Sequence, residues 1–303
     1  MRSLVVLAVI GFFAQLVDGS LGMAYGVTST SLLLLAGIAP AAASAVIHLA
    51  EVGTTVASGA AHWKFGNVDW RVVGIMAVPG GVAAFLGARF LVGLDGAAAR
   101  PVVSTILLAL GVYVLFRFLR MPAARPSFQG RLPKRLLVPL AAAAGALDAV
   151  GGGGWGPVGT PTLLASGKIA PRKVVGSVDT SEFVVALGAS IGFLTGLGAV
   201  GIDFGWVVAL LLGGVAAAPL AAWLVRYLAP RVLAMAAGGL IIWTNTRTLV
   251  NTDLVSVVLG PVAGTVLLGV LFAAWIALIA WVTRTELRGR TAERSEATAP
   301  ADA

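Results

Sequence analysis

The sequence contains no cysteine, which excludes disulfides, thiolate metal sites and cysteine nucleophiles. Its two histidines, His48 and His62, are too few for a histidine-rich metal site. Charge is scarce too: 11% of the residues are charged, where a soluble domain carries about 25%. No cluster of serine, histidine and arginine of the kind that phosphate hydrolysis requires is visible. What fills the space is apolar: 58% of the 303 residues are hydrophobic, with a mean hydropathy of +0.96.

These residues come in blocks nearly free of charge, at Leu4–Leu16, Ser44–Ala61, Val72–Leu94, Val102–Leu119, Val174–Leu194, Trp206–Leu228, Val232–Ile242 and Val257–Val282. Crossing about 30 Å of hydrocarbon takes about 20 apolar residues in a helix, and several blocks meet that length. The pattern is that of an all-α, multi-pass protein of a cell membrane, read here as the bacterial cytoplasmic membrane. The net charge of +8 lies in short loops between spans, where it reads as a topology signal and not as nucleic-acid binding. Met1–Gln15 resembles a signal peptide, but no A-x-A-like site follows it and the segment recurs later in the chain.

That recurrence is a repeat. Asp18-Gly-Ser-Leu-Gly-Met-Ala-Tyr25-Gly26 aligns with Asp148-Ala-Val-Gly-Gly-Gly-Gly-Trp155-Gly156 at an offset of 130. Pro40 then matches Pro171, Glu51 matches Glu182, Asp69-Trp70 matches Asp203-Phe204, and Arg117 matches Arg247. Gly80-Gly81 matches Gly213-Gly214, where small residues read as helix-packing positions. Matches of acids, arginine and aromatics in one order carry more weight than matches of alanine and glycine.

Basic residues orient the halves. The linker holds Arg117, Arg120, Arg125, Arg131, Lys134 and Arg135 without an acid, and is expected inside. Alternation then puts 64–71, 168–173 and 226–231 inside, and 36–41, 94–100, 196–203 and 251–253 outside. Seventeen of the 21 Lys and Arg fall inside; Arg2, Arg89, Arg100 and Arg247 do not. The segment after Pro40 enters from outside and its partner after Pro171 from inside, so the halves have inverted topology. The expected organisation is a first repeat over 1–120, a cytoplasmic linker over 121–135, a second repeat over 136–250, an extra final span over 251–283 and a disordered cytoplasmic tail over 284–303.

Each repeat opens with two short apolar pieces around a glycine-rich break: Leu4–Leu16 and Val27–Gly37, then Leu136–Leu147 and Pro157–Ser166. Non-helical backbone at membrane depth is tolerated only inside protein or beside water, and four successive glycines, Gly151 to Gly154, are poor helix formers. The chemistry expected of such broken or re-entrant helices is anion binding, because a helix start presents unpaired N–H groups and partial positive charge. Tyr25, Gly26, Val27, Thr28 and Ser29 would form one side of the site, and Trp155, Gly156, Pro157 and Thr160 the other. Pro157 suits a first helical turn, the hydroxyls add donors, and the two aromatics are expected to close the site.

The duplicated chain, with Gly-Gly-Gly-Gly-Trp155-Gly-Pro157 followed by Thr160-Pro161, resembles the TauE/SafE family over roughly residues 4–250. The resemblance implies a transporter of sulfite or of organosulfonates such as sulfoacetate, moved outward, with no cofactor. It carries over only to the two glycine breaks.

Ionisable groups at membrane depth are functional candidates by default. Glu51 and Glu182 fall near the middle of matched spans, with His48 and Asp179 one turn earlier on the same faces. They are expected to relay protons; the alternative is structural acids hydrogen-bonded between helices. Asp18 and Asp148 end the first piece of each repeat and either cap the next turn or meet a proton or cation. Arg247 is a candidate for recruiting the anion from a vestibule. The expected partners are a small anion, protons, the lipid bilayer and a second copy of the chain as a homodimer. The expected function is a proton-linked anion exporter working by alternating access; the competing readings are a membrane-embedded phosphatase-like enzyme and a passive anion channel.

Overall fold

A computed structural model describes residues 2–21, 23–120, 130–198, 201–224 and 230–298. Among the described residues every regular element is an α-helix. The order is α1 (Arg2–Leu21), α2 (Tyr25–Leu35), α3 (Pro40–Lys64), α4 (Trp70–Val92), α5 (Gly96–Leu119), α6 (Lys134–Gly151), α7 (Trp155–Ala165), α8 (Pro171–Leu197), α9 (Phe204–Leu224), α10 (Pro230–Val250) and α11 (Asp253–Thr298). A helix satisfies its own backbone, which hydrocarbon demands. Pro40–Lys64, Trp70–Gly93, Gly96–Leu119, Pro171–Leu197 and Val255–Arg288 are long and apolar enough to cross a membrane.

The short pairs differ from expectation. Helices α1 and α6 have 20 and 18 residues, about 30 and 27 Å of rise, because each runs on through its aspartate. Only α2 and α7 are half-length, at 11 residues each. Helix α6 stops where Gly152 turns left-handed, at φ 68°, a conformation that costs glycine nothing. Pro40 and Pro171 open α3 and α8, where a missing N–H does no harm.

The two halves interleave. Helix α1 packs on α9, α4 lies between α6 and α8, and α5 packs on α10, so the closest neighbours come from opposite halves. Small residues bring these backbones together: a Cβ at Gly11 would strike the Leu210 carbonyl, one at Gly213 the Ala8 carbonyl, and one at Gly145 the Gly80 carbonyl. Close approach of this kind replaces the hydrophobic drive that lipid removes.

The connecting segments gather at two ends. At one, Arg71 donates to the Leu132 carbonyl at 3.1 Å, the Asp69 amide donates to Ser177 Oγ at 2.8 Å, and Gly130 lies against Lys168. At the other, Arg100 donates to the Gly37 carbonyl at 3.0 Å. These are the groups that the basic residues assign to the inner and outer sides. Positions 121–129 of the linker, Gly22 in the first break, and parts of the expected loops at 199–200 and 225–229 lie outside the described residues.

Helix α11 packs on α10, with the Trp275 indole donating to the Met235 carbonyl at 3.1 Å and that of Trp243 to the Leu268 carbonyl at 3.1 Å. Its outward residues, among them Val257 and Val262, are largely exposed, a face that lipid covers. The chain past residue 283, expected to be disordered, is helical to Thr298. Arg, Glu and Ala are good helix formers, and Glu286 lies 3.5 Å from Arg231 of α10.

Candidate functional site

Helices α2 and α7 begin against each other. A Cβ at Gly26 would come within 2.6 Å of the Gly152 carbonyl oxygen and of Gly153 Cα, and one at Gly153 would meet the backbone of Gly26 and Val27. Thr30 Oγ1 donates to the Gly152 carbonyl at 2.7 Å, which satisfies a group stranded at the end of α6. Gly153 stands at φ 151°. Ala24, before α2, is the one non-glycine at positive φ among the described residues, at 108°. Both breaks thus use conformations that L side chains rarely adopt.

Each helix start is closed by the aspartate of its own repeat. Asp148 Oδ1 accepts from the Gly154 and Trp155 amides at 2.6 and 2.9 Å. Asp18 Oδ1 accepts from the Tyr25 amide at 3.3 Å. A carboxylate on unpaired amides at a helix start is favourable by charge and by hydrogen bonding. These amides are therefore already occupied by carboxyl groups of the protein.

Each aspartate also belongs to a trio drawn from the other repeat. His48, Glu51 and Asp148 offer ligand atoms that all lie within 4.8 Å of one another, and so do Asp18, Asp179 and Glu182. His48 Nε2 is 3.0 Å from Asp148 Oδ2 and 3.9 Å from Glu51 Oε2, and Nδ1 is 2.8 Å from the Ser44 carbonyl. Facing a carbonyl, Nδ1 donates, and Nε2 shares a proton with the Asp148 carboxyl. In the second trio Asp179 Oδ1 accepts from Ser58 Oγ at 3.0 Å. Asp179 Oδ2 and both oxygens of Glu51 are buried without a hydrogen-bond partner. Glu182 is partly buried and the other five are buried. Position for position the trios match across the repeat, with His48 standing where the second has Asp179.

Uncompensated acids at this depth are costly, and no Lys or Arg forms an ion pair with either trio among the described residues. His48 is the one basic side chain in either trio. The first trio can carry three charged groups of mixed sign; the second has carboxylates alone.

The six ionisable residues and the two helix starts named by the sequence thus come together, and Arg247 does not join them. It stands at the end of α10, on a cavity of about 300 Å³ with Arg100. Tyr25 and Trp155 are each tied by a hydrogen bond: the Trp155 indole donates to the Val178 carbonyl at 3.0 Å and the Tyr25 hydroxyl to the Leu210 carbonyl at 3.3 Å. Trp155 rests on Gly80 of the first half, and Tyr25 on Gly214 of the second. Thr30, Ser44 and Ser58 escaped the sequence reading. For Ser44 a signal was present, since it precedes His48 by four residues and shares its helix face.

Comparison with known proteins agrees with this architecture. The model of the sulfite exporter TauE/SafE family matches residues 7–248. The chain is 50% identical over 285 residues to the probable membrane transporter protein YtnM of Bacillus subtilis (strain 168), covering 93% of each chain. No solved structure matches. A match over residues 7–248 and a relative similar along nearly its whole length show that the chain belongs to the sulfite exporter TauE/SafE family of multi-pass membrane transporters.

Proposed function

We propose that this transporter is a secondary carrier of a small sulfur-containing oxyanion, sulfite or an organosulfonate such as sulfoacetate, exported by alternating access and linked to protons. The anion is received between the starts of α2 and α7, where Gly26 of one repeat faces Gly152 and Gly153 of the other. Glycine there lets a ligand meet backbone N–H groups without side chains in the way.

One observation carries the linkage to protons: the amides of Gly154 and Trp155 are held by Asp148, whose other oxygen belongs to a buried ionisable trio. A substrate anion approaching those amides meets a carboxylate already on them. Protons that neutralise the trios remove this repulsion, so anion and protons bind together, and by linkage each raises the affinity for the other. The inverted halves supply the alternation, with the paired breaks opening to one side and then the other. The direction, outward, rests on the family description.

Full-length protein in proteoliposomes, loaded with labelled sulfite or sulfoacetate and given a pH gradient, tests the reading. Uphill movement that follows the imposed gradient supports a proton-linked carrier. Downhill flux without accumulation identifies a channel, and no flux of either compound overturns the substrate class.

A further inference from the structure

Two of the four basic residues that break the inside preference meet at one place. Arg100, at the start of α5, and Arg247, at the end of α10, line a single cavity of about 300 Å³ with Leu34, Leu35, Thr248 and Asn251. Arg100 is steadied by two carbonyls, Gly37 at 3.0 Å and Ile38 at 3.4 Å, both through Nη2; a guanidinium has further donors to offer. Arg247 is exposed and its guanidinium lies 5.8 Å from the centre of the Trp243 ring. Neither has an acidic partner among the described residues. Arg231, at the start of α10, does have an acid nearby: Glu286 lies 3.5 Å from it.

A second observation lies on the helices that line the cavity. Ser104 Oγ, Asn245 Oδ1, Thr28 Oγ1 and Ser29 Oγ are buried without a hydrogen-bond partner. Ser104 is one turn along α5 from Arg100. Asn245 shares a face of α10 with Thr248, and its Nδ2 donates to Ser31 Oγ of α2 at 2.8 Å. Ser31 in turn shares a face of α2 with Thr28 and with Leu35 of the cavity wall. Farther along α5, Ile106 and Leu107 touch the position of a Cβ at Gly151 in the second break. Three helices that pack on one another therefore turn polar faces inward from the cavity to the breaks. Asn245 spends both Nδ2 protons on Ser31 Oγ and the Ile241 carbonyl, and Ser31 donates to the Val27 carbonyl. The donors left free for an anion are therefore the hydroxyls of Ser104, Thr28 and Ser29. Such orphans in a membrane core are costly and point to a ligand that accepts from them.

We propose that the Arg100–Arg247 cavity is an outward-facing oxyanion site, joined to the paired breaks by the free hydroxyls of Ser104, Thr28 and Ser29, and that its two uncompensated guanidiniums select a dianion. The proposal rests on the anion-carrier reading and names the outer stage of its route. Planar guanidiniums match the oxygens of sulfonate and carboxylate groups, and sulfoacetate carries one of each.

Right-side-out membrane vesicles holding the full chain, exchanging labelled external sulfoacetate, test it. In Arg100→Gln and Arg247→Gln the external half-saturation concentration rises about tenfold, the loss expected of one charge-assisted hydrogen bond. The preference for sulfoacetate over the monoanion methanesulfonate narrows by a similar factor, and Arg→Lys at either position, which keeps the charge and loses the planar fork, restores the preference and only part of the affinity. Unchanged external half-saturation and unchanged preference overturn the site. If the natural protein moves neither compound, calorimetric titration of sulfoacetate onto purified protein separates the two ideas. Binding that the Gln variants lose upholds the cavity without the carrier; absence of binding overturns the cavity as well.

Discussion

The Asp148 carboxylate stands 3.0 Å from the His48 imidazole through Oδ2 and closes the start of α7 through Oδ1. One buried side chain thus ties the break of the second repeat to α3 of the first. The corresponding aspartate of the first repeat, Asp18, joins Asp179 and Glu182 of α8. The halves are locked by exchanged acids, and each lock sits on the helix start where the substrate is proposed to bind.

Removing one member of a buried pair strands the other and costs about 3–5 kcal/mol. His48→Leu is therefore expected to lower stability by about that amount, read as thermal or denaturant unfolding of the purified protein in detergent. Asp148→Asn alone is destabilising too, and the double variant recovers at least about 1 kcal/mol relative to the sum. Simple additivity would show that the contact contributes no coupling.

Gly26 is helical, so alanine does not strain its backbone; what a Cβ meets is the Gly152 carbonyl oxygen and Gly153 Cα at 2.6 Å, with Glu51 Oε1 at 3.0 Å. Gly26→Ala should push the breaks apart and reduce transport by about tenfold or more, the scale of losing one well-placed charged contact. Gly74→Ala is the control: nothing lies within 4 Å of its Cβ, and stability should rise by about 0.5–1 kcal/mol at unchanged transport. Equal behaviour of the two variants would remove Gly26 from the site.

Much of this arrangement was legible in the sequence, for identifiable reasons. Long uncharged blocks, proline at helix starts and glycine at breaks each reflect a local rule, so α3, α4, α5, α8 and the half-length α2 and α7 fall close to where those signals put them. The capping alternative for Asp18 and Asp148 was likewise local. The exchange of acids between repeats was not, because spacing relates His48 to Glu51 along one helix and says nothing of Asp148, 100 positions away and 3.0 Å distant. The anchoring of Trp155 on Gly80 was hidden for the same reason. The helical tail misled because its charged composition resembles both a disordered end and an exposed helix.

Carboxylate charge opposes substrate on the helix starts, so the proposed carrier should work faster as pH falls. Glu51→Gln and Glu182→Gln each replace an ionisable acid by a neutral amide of similar shape. In both variants the increase in initial rate toward acid pH should flatten, with the larger relative gain over the natural protein on the alkaline side. A pH profile parallel to that of the natural protein would make the two glutamates structural members of their trios.

The lack of cysteine makes topology directly measurable, since any thiol introduced is the sole one in the chain. Ala36 and Ala165 are exposed positions just after α2 and at the end of α7, matched ends of the two repeats. In an inverted pair they face opposite sides. Ala36→Cys and Asn251→Cys should react with a membrane-impermeant maleimide added to intact cells, whereas Ala165→Cys and Phe65→Cys should react only after the membrane is opened. Labelling of Ala36→Cys and Ala165→Cys from one side would give the halves the same orientation. The paired helix starts would then no longer be symmetric gates, and alternating access by exchange of the two halves would have to be abandoned, although the contact of Gly26 with Gly153 would remain.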